Sequence, residues 1–89
     1  MSDYHGRAVL VAENQTPVEV EAVLVARRDG EPGTWPWRGK VTPVLHQSLL
    51  AFVWAANVEL HVQGVPHPCY VSAAGERVSE VEGLDKPRF

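Results

Sequence analysis

The stretch Pro17–Arg27, "PVEVEAVLVAR", decides the fold class. Val18, Val20 and Ala22 alternate with Glu19 and Glu21, a period of two that belongs to a strand with one buried and one wet face. After Ala22 the wet face ends. Val23 and Val25 stand where glutamates would continue the pattern, and Leu24 keeps the other side. A strand that turns from one-sided to two-sided passes from solvent under cover, as long bent strands of small barrels do. Val23 and Val25 are therefore expected to be covered.

Outward from this strand the chain reads as short β elements. "GRAVLVAE", Gly6 to Glu13, is a Val-rich strand, and "NQTP" after it is a hairpin connection in which Asn14 can take a positive φ. "RDGEPGT", Arg28 to Thr34, is a solvent loop. "WPWRGKVT", Trp35 to Thr42, is a third strand. Pro36 has no amide hydrogen to give a ladder, which puts that end at an edge or a bulge, and Gly39 marks a bend or a close backbone approach. Thr42-Pro43 supplies an N-cap hydroxyl and a first-turn proline. Leu45, Leu49 and Phe52 then recur at helical spacing, so a helix is predicted from Pro43 to about Val53.

"NVELHVQG", Asn57 to Gly64, alternates cleanly and is a strand; "GVPHP" turns the chain. "PCYVSA" and "RVSEVEG" are two more strands. Val78 and Val81 break the period in the last, which predicts a bulge there. The sum is a single domain over residues 1–89, mainly β: a small six-stranded antiparallel barrel or curved sheet. One short helix lies between strands three and four and plugs an open end.

Composition narrows the function. The net charge of −3 disfavours nucleic acid, whose binders carry a basic face. The lone Cys69 forms no internal disulfide and removes thiolate metal cages. No run reaches the ~20 apolar residues of a membrane helix, and "MSDYHGRAVLVAE" lacks the pattern of a signal peptide. A cytoplasmic location is expected.

Catalytic constellations are thin. Ser48, Ser72 and Ser79 sit in no nucleophile elbow, and Glu19 and Glu21 read as solubilising residues on an outer face. His67 and Cys69 share one side of a strand, but two ligands make no metal site. A minor enzyme built on His46, Glu59 and His61 ranks last. No metal and no cofactor is expected.

The aromatics remain. Trp35 and Trp37 are two apart and share a face of the strand; Trp37 is expected in the core and Trp35 partly exposed. The frame Tyr4-x-Gly6-x-Ala8, "VEVEAVL", Trp37-x-Gly39-Lys40-Val41 and a close on Val81, Gly83, Pro87 and Phe89 resembles an actinobacterial domain of unknown function. That domain occurs alone or as a C-terminal appendage of flavin-dependent monooxygenases. The resemblance implies a compact β-rich domain and carries over no catalytic residue. In it Gly6 and Gly39 are backbone requirements and Trp37 is a packing residue. This chain departs from the family at Lys40, where an arginine is usual, and at Trp35 and Pro36.

The expected function is that of a non-catalytic accessory module acting by protein–protein interaction. Its contact surface would include Trp35, Pro36 and Arg38, and an exposed edge strand would allow docking or a homodimer. One alternative is a small-molecule pocket in the barrel serving a partner oxidoreductase. Another is a phage- or plasmid-borne protein that binds a host or virion component.

Overall fold

The structure, a computed structural model, describes residues 3–27, 36–45 and 47–89. Six strands form it: β1 (Asp3–Val11), β2 (Val18–Ala26), β3 (Trp37–Pro43), β4 (Glu59–Val62), β5 (Val65–Ala74) and β6 (Ser79–Gly83). They close into an antiparallel barrel in the order β1-β2-β3-β6-β5-β4. Two three-stranded meanders, β1-β2-β3 and β4-β5-β6, meet at β3 with β6 and at β1 with β4. β1 pairs with β2 from Asp3 to Leu10 but with β4 only at Val9–Val11, so closure covers most of the strand edges.

β2 alternates through all nine residues, buried at Val18, Val20, Ala22, Leu24 and Ala26. The expected change to two-sided burial does not occur. Val23 and Val25 stay on the outer face with Glu19 and Glu21, 48% and 37% exposed. Pro36 lies just outside β3, where no ladder amide is asked of it, and its carbonyl accepts from the Arg27 N–H at 2.9 Å.

The helix expected from Pro43 is a single 3-10 turn, Leu50–Val53. Thr42 and Pro43 are taken instead by β2, opposite Glu21 and Val20, so the capping dipeptide ends a strand. The Val44 N–H continues that ladder to the Glu19 carbonyl at 2.9 Å. The crossover carries the chain from β3 to the far side of the barrel. Leu49 and Phe52 plug the core from it, with Val53 and Ala55 packed behind them. Its exit is tied to the end of β1, where the Glu13 N–H meets the Ala56 carbonyl and Asn57 Nδ2 donates to Glu13.

Turn chemistry explains two hairpins. Asn14 has φ 60°, as its residue type allows. Gln63 and Gly64 have φ 52° and 81°, the paired positive angles of a two-residue turn that follows strand twist, so β4 and β5 meet here. The sequence "GVPHP" is thus mostly strand and not turn. The bulge lies in β5, where the register steps between Val71 and Ala73, and not in β6. Val78 precedes β6 and is exposed.

Candidate functional site

Tyr4, Trp37, Gly83 and Phe89 of the sequence frame meet in one cluster, and His67 joins them. Trp37 is wholly buried on β3. Its ring meets His67 edge-on at 6.0 Å and Phe89 at 5.7 Å, and Tyr4 closes the group against Phe89 at 6.4 Å. Two glycines make the room. A Cβ at Gly83 would overlap the Trp37 indole, and one at Gly39 would overlap the Val23 carbonyl oxygen and a Leu24 methyl. Gly6 is different: its Cβ would meet only the Tyr4 side chain, whose hydroxyl donates to the Arg7 carbonyl.

Burying an indole removes about 150–250 Å² from water, worth about 4–6 kcal/mol at about 25 cal/mol per Å². The Trp37 N–H finds no acceptor among the described residues, which costs about 1–3 kcal/mol. The apolar gain wins, and Trp37 is a core residue. His67 is also buried. Its Nδ1 lies 2.9 Å from the Val65 carbonyl, which can only accept, so Nδ1 carries the proton. Its Nε2 accepts the Arg88 backbone N–H at 3.0 Å. Both nitrogens are used structurally, and neither has a lone pair left for a metal.

Cys69 faces Gly83 across the ladder and is buried. Burial pushes its thiol up to about 12, far from the thiolate a nucleophile needs. Glu19 and Glu21 both lie on the Arg7 guanidinium, at 3.4 and 2.9 Å, and hold its pKa up; Glu21 has the larger effect. Glu59 pairs with His61 at 3.1 Å. His46 lies outside the described residues, so its expected convergence with this pair does too. Among the described residues no group of three His, Cys, Asp or Glu side chains stands ready for a metal. No described helix is long and apolar enough to cross a membrane.

The interior is packed. Leu10, Val20, Leu24, Val41 and Leu60 fill it at zero exposure. Larger depressions open on outer surfaces, and the one on β2, β3, β6 and β5 holds about 450 Å³, lined by Val23, Val25, Arg38 and Glu82 among others.

The predicted contact residues separate. Trp35 lies outside the described residues. Pro36 is half-buried at the foot of β3, and Arg38 points outward from β3 over the depression just described. The crossover holds what sequence reasoning missed. Trp54 is 79% exposed, between the packed Val53 and Ala55, and Leu50 and Leu45 are exposed near it in sequence. The apolar run "LLAFVWAA" conceals it, because every residue there passes for core. No family model, no curated protein and no solved structure matches the chain.

Proposed function

We propose that the chain is a non-catalytic barrel module that acts by protein–protein contact, with the crossover as its docking lip. Trp54 carries the reading. A large aromatic residue gains by leaving water, and this one is turned out while residues on both sides of it are packed in. Leu49 and Phe52 anchor the turn, so the backbone that presents the indole is fixed before a partner arrives. Little entropy is then lost on binding, and pre-placed tryptophans are the residues that dominate interface energy. The titratable groups with a described contact serve structural pairs, which also favours a binding role over a catalytic one. Read with the resemblance to an appended domain, the lip would seat the module on a larger protein.

The test is an affinity capture from the source cells with wild type and with Leu50→Ser/Trp54→Ser, both checked for folding by circular dichroism. A protein retained by the wild type and lost by the variant is expected. Identical retained sets would sink the lip as the contact surface.

A further inference from the structure

The strand pattern expects Val23 and Val25 under cover, and in the single chain they are uncovered. The ladder shows what shares their face. One row runs Val25, Arg38, Glu82, Tyr70 across β2, β3, β6 and β5; the next runs Val23, Lys40, Glu80 and, at the β5 bulge, Ser72 with Ala73. Read along the strands, these are four columns: apolar, basic, acidic, and a fourth with Tyr70 at 41% exposure. The Tyr70 hydroxyl donates to Glu82, which raises its pKa.

We propose that this face binds a second copy of the chain about a two-fold axis that runs parallel to the strands between β3 and β6. Such an axis exchanges left and right columns and keeps each row. Arg38 of one copy then meets Glu82 of the other, Lys40 meets Glu80, Val25 meets Tyr70, and Val23 meets Ala73. Each cation lies between an anion of its own chain and one of its partner; Val25 meets an aromatic ring, and Val23 meets the bulge where Ala73 stands beside Ser72. The pairing is self-complementary, as an isologous contact must be. A partner of uniform charge would match one column and be repelled by its neighbour, which argues against nucleic acid and against a purely acidic or basic peptide.

The face is modest. Two rows across four strands fall short of the roughly 800 Å² per partner in a standard interface, so a dissociation constant on the order of 10 µM is expected. The charge pairs set the register more than the strength. This inference rests on the reading of the chain as an interaction module, but it uses a different surface from the Trp54 lip.

Sedimentation over about 1 µM to 1 mM tests it. The wild-type mass is expected to climb from 9.8 kDa toward twice that value. Arg38→Glu alone and Glu82→Arg alone are each expected to stay monomeric, because like charges meet across the axis. Their equimolar mixture is expected to recover the dimer. In the mixed pair the introduced glutamate of one chain faces the introduced arginine of the other, and the native Arg38 and Glu82 that remain face each other. That rescue cannot come from contacts within a chain, which stay mismatched in both variants. Val23→Thr/Val25→Thr keeps β-branched residues on the strand and is expected to weaken the dimer about tenfold. A wild type monomeric throughout, a mixture that stays monomeric, or a double threonine variant that associates unchanged would each overturn the proposal. None of these results touches the capture experiment on Trp54, so the two readings fail separately.

Discussion

The indole of Trp37 on β3 stands in the space that a side chain at position 83 on β6 would take. This pairs the largest buried residue with the smallest and makes both necessary. Gly83→Ala is expected to destabilise the barrel by about 2–4 kcal/mol, as overpacking does, with a fall in Tm of more than about 10 °C. Gly39→Ala, which strikes the β2 backbone, should cost a similar amount. Gly6→Ala meets only the movable end of Tyr4 and should cost less than about 1 kcal/mol. Thermal denaturation of the three variants checks the order.

His67 joins the last residues of the chain to the barrel. Its Nε2 accepts the Arg88 N–H, and the Arg88 guanidinium donates to the Pro66 carbonyl at 2.8 Å. His67→Leu keeps the bulk and leaves the Arg88 N–H and the Val65 carbonyl without their partner. A loss of about 1–3 kcal/mol is expected, and hydrogen exchange at the Arg88 amide should quicken beyond what the lower stability alone explains.

Cys69 makes stability depend on alkaline pH. Burial opposes the thiolate and pushes its thiol from the ordinary value of 9.0 up to about 12 in the fold. Above pH 9 the unfolded chain releases this proton and the folded chain keeps it. Stability should therefore fall as pH rises from 9 to about 12, by about 1.4 kcal/mol per pH unit from this group. Cys69→Ala should flatten that slope in urea titrations at pH 8 to 11. A thiol reagent at pH 8 should leave native Cys69 untouched and label it after unfolding.

Trp54 and Trp37 should respond oppositely to substitution. Trp54→Ser removes an exposed ring and should change stability by less than about 0.5 kcal/mol. Trp37→Phe leaves a gap in the core and should cost about 2 kcal/mol, part of the loss being offset by removal of the unpartnered N–H. Urea unfolding curves of the two variants give both numbers.

The strands were legible because their period survives locally. β2 and β4 announce themselves in the alternation of Glu19, Val20, Glu21 and of Leu60, His61, Val62. Closure was less legible, since the pairing of β1 with β4 joins residues about fifty positions apart. The helix failed for a tertiary reason: a good capping dipeptide lost to ladder bonds with Glu21 and Val20. β5 was misjudged because Pro66 and Pro68 read as turn, although the positive φ angles at Gln63 and Gly64 already complete the reversal. For the contact surfaces the pattern was informative where it broke. The apolar pair Val23 and Val25 breaks the glutamate pattern yet stays exposed on the outer face; the proposed self-association would supply the cover that the pattern asks for. Trp54 could not be told from core, because "LLAFVWAA" offers no polar residue to set one side apart from the other.

The most direct measurement is a concentration series of ¹⁵N–¹H spectra on the wild-type chain. Self-association through the β2–β3–β6–β5 face predicts progressive amide shifts at Val23, Val25, Arg38, Lys40, Tyr70, Glu80 and Glu82, with β1 and the Trp54 crossover unmoved. Spectra that do not change with concentration, or shifts centred on another surface, would contradict it.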